Sequence, residues 1–140
     1  MVRINLLNPK QLADQHLIAE YNEILMLLGY VKKYPVLRNQ PSEYCLGKGH
    51  IIFFKDKIGY LKQRHDEIRK EMKKRGFKTD KIVSLGSYPI KYRNDWKPSN
   101  NDFYIIKERI LDKIEKKQNY YRYFGEKKSY GFFRDLMDNI

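Results

Sequence analysis

NPKQLADQHLIAEYNEILMLLGYVKKYP, residues 8–35, carries Leu17, Tyr21, Ile24, Leu28 and Val31 at alternating steps of four and three. That spacing puts five large side chains on one face of an α-helix and predicts a helix over Lys10–Lys33. Asn8 followed by Pro9 reads as an N-cap with proline in the first turn, and Pro35 ends the run. His16, Glu20 and Glu23 recur at helical spacing on a second face.

Two further helical patterns lie downstream. Phe54, Ile58, Leu61, His65, Ile68 and Met72 form one, closed by Lys73-Lys74-Arg75-Gly76. The cations there suit the negative end of the helix dipole, and the glycine suits a left-handed cap. Gly59 is a weak point inside this pattern. Phe103, Ile106, Ile110 and Ile114 form the other, starting near Ser99 or Asn101. Tyr34 to Lys48 reads as loop, with Gly47-Lys48-Gly49-His50 a turn entering the second helix. Residues 77–100 show no period. A stretch that long is either functional or holds short elements. The expected architecture is all-α: one compact domain over residues 1–140, with about three main helices and long irregular loops.

Composition narrows the function. Lys plus Arg number 29 against 17 Asp plus Glu in 140 residues, a formal charge of +12, which points to a polyanionic partner. The basic residues are spread along the chain, not gathered on one amphipathic segment, which disfavours a membrane surface. The longest purely apolar run, Ile24 to Leu28, is far too short to span a bilayer. MVRINLLNPK lacks the pattern of a secretory signal, and the lone Cys45 allows no disulfide framework. The expectation is a monomer inside the cell, beside DNA in a nucleoid, nucleus or viral factory.

Chemistry-bearing motifs are few. H-x-x-x-E-x-x-E, from His16 to Glu23, has no second cluster to complete a metal site, so no metal is expected. Neither a GxSxG elbow nor a phosphate-binding loop is present. Arg109, Lys113 and Lys116 share one stripe of the third helix. They are either a solvated flank paired with Glu108, Asp112 and Glu115, or a set of phosphate contacts. Tyr120-Tyr121-Arg122-Tyr123-Phe124 is either core or a base-stacking platform.

Taken in order, the motifs resemble the pyrimidine-dimer DNA glycosylases of the bacteriophage endonuclease V type. The likeness rests on Arg3-Ile4-Asn5-Leu6, Leu12-Ala13-Asp14-Gln15-His16-Leu17 and Ala19-Glu20-Tyr21 with Glu23. It continues through Leu46-Gly47-x-Gly49-His50, Phe53-Phe54, Asp56-Lys57, Leu61, Arg64 and Lys74-Arg75-Gly76-Phe77. Pro89-x-x-Tyr92-Arg93-x-Asp95-Trp96-x-Pro98 and Tyr121-Arg122-Tyr123-Phe124-Gly125 complete it, leaving 126–140 as a C-terminal extension.

The resemblance implies a small all-α enzyme without metal or organic cofactor, acting on damaged double-stranded DNA as glycosylase and abasic-site lyase. The nucleophile would be the α-amine of Val2, exposed by removal of Met1, and Glu23 the catalytic acid. An α-amine titrates near about 7.7–8.0, so a neutral fraction exists at physiological pH. Arg3 and His16 match residues beside the lesion, and Arg109 and Lys113 match residues that grip the backbone. Lys32, Lys33 and Arg38 can reach phosphates. Asn22 and Met26 stand where the family's groove carries arginines, which favours an altered substrate such as an abasic or oxidised-base site. A basic DNA-binding module without catalysis is the rival from another class. In the tail, Phe132, Phe133, Leu136 and Met137 either cap the core or dock a partner.

Overall fold

The computed structural model describes residues 4–38, 40–47 and 49–138. It is all-α apart from one short hairpin. The elements are α1 (Asp14–Lys33), α2 (Gly49–Phe54), α3 (Ile58–Lys74), α4 (Asn100–Lys116), β1 (Arg122–Tyr123), β2 (Glu126–Lys127) and α5 (Tyr130–Asp138). Short 3-10 turns lie at Pro9–Gln11, Leu85–Ser87 and Ile90–Tyr92. The last two fill the aperiodic stretch, where Val83, Tyr88 and Tyr92 are buried.

The predicted face of α1 forms the centre of the core: Leu17, Tyr21, Ile24, Leu28 and Val31 are all buried, chiefly against α3. The start of the helix differs from the prediction. The Asn8 side chain accepts from Lys10 N–H and caps only the Pro9–Gln11 turn. The chain is then extended at Leu12 and Ala13, and α1 begins at Asp14. Arg75 binds at the break. Its guanidinium donates to the Leu12 carbonyl (2.8 Å) and shares the Pro9 carbonyl (3.2 Å) with the Leu12 N–H that closes the 3-10 turn.

The second predicted helix is two helices. All six residues of its pattern are buried, but the axis breaks at Lys55–Lys57. There the Asp56 carbonyl accepts from the Asn94 backbone (3.2 Å) and side chain (3.0 Å), and Lys57 bridges to Arg93. Gly59 is what admits this contact. A Cβ at that position would lie 2.6 Å from the Arg93 carbonyl oxygen. At the far end Gly76 (φ +87°) closes α3, with Phe77 N–H on the Met72 carbonyl and Gly76 N–H on that of Lys73. This doubly bonded left-handed cap requires a positive φ, which glycine adopts at no steric cost.

Ser99 and Asp102 form a reciprocal capping box at the start of α4, where the sequence places the helix start. Its inner face is Ile106, Ile110, Leu111 and Ile114, with Phe103 half-buried. The tail covers this core. α5 packs on α4 and fully buries Phe133, with Met137 alongside.

One buried ion pair ties these layers together. Arg64 of α3 grips Glu20 of α1 through two bonds (2.6 and 3.0 Å) and also donates to the Leu6 and Leu7 carbonyls. Both side chains are almost wholly out of solvent. Burial alone would lower the guanidinium's pKa; Glu20 outweighs it and holds the pKa above the ordinary range. Removing one partner from such a pair strands a charge, at a cost of about 3–5 kcal/mol.

Candidate active site

Four chain segments converge on a cleft of about 280 Å³. α1 supplies His16, Ala19 and Glu23, which lie above one another at steps of three and four. α4 supplies Arg109 and Lys113, four residues apart on its own stripe. Asn5 enters from the N-terminal segment, and Tyr121 closes the wall from the start of the hairpin. Ala19 is exposed and too small to fill the floor.

The hairpin is held to α1 by two side chains of that helix's first turn. The Asp14 carboxylate accepts from the backbone N–H groups of Phe124 (3.1 Å) and Gly125 (2.8 Å) and pairs with Arg75 (3.0 Å). Gln15 donates to the Tyr120 carbonyl (2.9 Å) and accepts from Arg122 N–H (3.0 Å). These bonds set the Tyr121 ring against His16, with centroids 4.7 Å apart. Tyr121 is therefore buried wall, while Tyr120 and Phe124 stay exposed. The aromatic cluster thus divides between core and surface.

His16 is strongly perturbed. Burial, then the charges of Arg109 and Lys113, push its pKa from 6.5 down to about 4. Its Nδ1 is buried with no hydrogen-bond partner among the described residues. At neutral pH the ring is uncharged, so the cations among the described residues that line the cleft are Arg109 and Lys113. Those two cations face one carboxylate, Glu23. Tyr121 keeps its phenol proton, because burial and then Tyr120 raise its pKa against an opposing effect of Arg109.

The structure sorts the candidates named from sequence. His16, Glu23, Arg109 and Lys113 share the cleft. Glu20, which the H-x-x-x-E-x-x-E spacing set beside them, points into the core at Arg64 instead. Among the described residues no cluster of three or more His, Cys, Asp or Glu could hold a metal ion. Lys116 is exposed and paired with Asp112 (3.0 Å), outside the cleft. Asn22 lines a separate recess with Ile18, Tyr21 and Lys81. Lys33 lies ten residues beyond Glu23 at the end of α1, about 15 Å along the axis, with its ammonium 5.5 Å from the Tyr34 ring. Val2 and Arg3 lie outside the described residues. Asn5, Ala19 and Tyr121 all stand in the motifs that carry the resemblance, yet only the folded chain shows that they line the site.

No helix among the described residues is long and apolar enough to cross a membrane. The family model described as pyrimidine dimer DNA glycosylase matches residues 1–85, which carry Asn5, His16 and Glu23; Arg109, Lys113 and Tyr121 come from the remainder. With more than half of its length matched, the chain belongs to the pyrimidine dimer DNA glycosylase family.

Proposed function

We propose that this glycosylase couples base removal to strand cleavage through the α-amine of Val2, with Glu23 as its catalytic acid. The supporting observation is that Asn5 of the N-terminal segment lines the same cleft as Glu23, Arg109 and Lys113. Two peptide units, at most about 7 Å of chain, separate the residue-2 nitrogen from that of Ile4.

The chemistry balances without a cofactor. The neutral amine bonds to C1′ of the lesion's 5′ nucleotide, and the C1′–N bond breaks with its electron pair leaving on the base. Opening of the sugar ring gives an imine at C1′, which acidifies the C2′ proton. Loss of that proton and expulsion of the 3′ phosphate cut the strand by β-elimination. Glu23 stabilises the cationic sugar in the first step and moves protons in the second. Arg109 and Lys113 hold the phosphates flanking the lesion. Neutral His16 adds no charge, so it acts as packing and as a hydrogen-bonding wall.

Borohydride reduction of the imine tests this on ultraviolet-irradiated and abasic duplexes in parallel. A covalent adduct on both supports dimer cleavage through the amine. An adduct on abasic DNA alone supports the second reading, an enzyme for abasic or other lesions; exposed Asn22 and Met26, where the family carries arginines, favour it. No adduct on either, with binding intact, returns the chain to a DNA-binding module.

A further inference from the structure

The segment that leads into the cleft belongs to neither helix nor strand, yet Ile4 is completely buried. A buried backbone outside regular structure must find its hydrogen-bond partners elsewhere. Ile4 finds both on side chains. Its N–H donates to His50 Nε2 (2.8 Å), and its carbonyl accepts from the Tyr44 hydroxyl (3.1 Å). His50 Nδ1 lies 2.9 Å from the Cys45 carbonyl, so the ring is neutral, with its proton on Nδ1 and its acceptor lone pair on Nε2. The two rings brace each other edge to face at 5.4 Å, and Tyr44 stacks on Trp96 at 5.8 Å.

Two residues later the chain is strained. Leu6 has φ +60°, and Leu7 N–H bonds to the Asn5 carbonyl across it (2.6 Å). That is a γ-turn of the rare, costly kind for a branched residue. Arg64 holds the turn by the Leu6 and Leu7 carbonyls while gripping Glu20, three residues before Glu23. Strain of this sort persists only where the surroundings over-determine it.

We propose that Tyr44 and His50 are positioning residues that clamp the Ile4 backbone and so aim the start of the chain at the Glu23 cleft. Neither lines that cleft, and both come from the loop and short helix after α1. The clamp acts only through the nitrogen two residues upstream, so it rests on the amine mechanism proposed above.

The test compares wild type with Tyr44→Phe, His50→Phe and His50→Gln on a duplex containing one abasic site. Single-turnover rate at saturating enzyme, borohydride trapping, DNA affinity and melting temperature are read for each. Tyr44→Phe keeps the ring and removes only the hydroxyl. It should slow the rate at least tenfold, while an ångström of misplacement can cost about 100-fold. Affinity should stay within about twofold of wild type in a protein still folded at the assay temperature. His50→Gln, whose amide oxygen can accept from Ile4 N–H, should recover part of the rate lost in His50→Phe. Folded variants that react at the wild-type rate, or that lose rate only as they lose affinity, overturn the clamp. If His50→Phe does not fold, Tyr44→Phe decides alone. A wild type that cleaves without trapping overturns the amine mechanism and the clamp together; one that traps, beside unimpaired variants, overturns the clamp only.

Discussion

Glu23 and Glu20 stand three residues apart on α1 and do opposite things. Glu20 is fully buried and commits its charge to Arg64; Glu23 lines the cleft together with Arg109 and Lys113. Glu23→Gln should therefore leave the fold and DNA affinity intact while abolishing cleavage, measured as binding and single-turnover rate on the same duplex. Equal turnover would remove Glu23 from the mechanism. His16 offers a second check at this scale. Its pKa of about 4 comes first from burial and second from the two cations. Arg109→Ala with Lys113→Ala should raise it by NMR titration but leave it below 6.5, because the larger cause remains.

At the scale of elements, two glycines in helices should respond in opposite directions to the same substitution. Gly29 lies exposed within α1, and a Cβ at that position would meet nothing within 4 Å. Gly29→Ala should stabilise the protein by about 0.5–1 kcal/mol through helix propensity. Gly59→Ala forces a methyl against the Arg93 and Asn94 carbonyls, at 2.6 and 3.0 Å. It should cost about 1–3 kcal/mol and loosen the junction of α2 with α3, read as a lower denaturant midpoint. The apolar spacing of α1, α3 and α4 was legible because a helix writes its buried face into local sequence. The break at Lys55–Lys57 was not, since its cause is a strand-like contact with residues nearly forty positions away. The same holds for the start of α1, where Arg75, more than sixty positions away, donates to the Leu12 and Pro9 carbonyls.

For the whole molecule, a net charge of +12 makes association with DNA strongly salt-dependent. Losing Arg109 and Lys113 together should weaken binding to any sequence and flatten the log–log salt slope by about one to two units. An unchanged slope would make the stripe a solvated flank. Stability should depend on pH through His65, which is buried and stacked on Tyr21 at 4.8 Å. Burial takes its pKa from 6.5 to about 4, against smaller raising effects of the Tyr21 backbone and Asp66. Between those values the unfolded chain binds more protons than the folded one. The contribution is complete above about pH 6.5 and drains away as pH falls toward 4, by at most roughly 3–4 kcal/mol at about 1.4 kcal/mol per unit. Urea midpoints at pH 7, 6 and 5 should fall in wild type and fall less in His65→Phe; His16 adds a change of the same sign.

By itself the sequence determined the helical class, the faces turned inward, a helix start near Ser99 or Asn101, the cap at Gly76, and the motifs that mark the family. Each of these is a local pattern, written within a few turns of chain or in a short run of residues. Only the tertiary structure decided which of two neighbouring glutamates lines the cleft and which is buried against Arg64, and that Asn5 and Tyr121 join His16 in one cleft. It alone showed that Ile4 is held by Tyr44 and His50. Those facts depend on contacts across 40 to more than 100 residues, where no periodicity or composition constrains the partner and only the packed chain does.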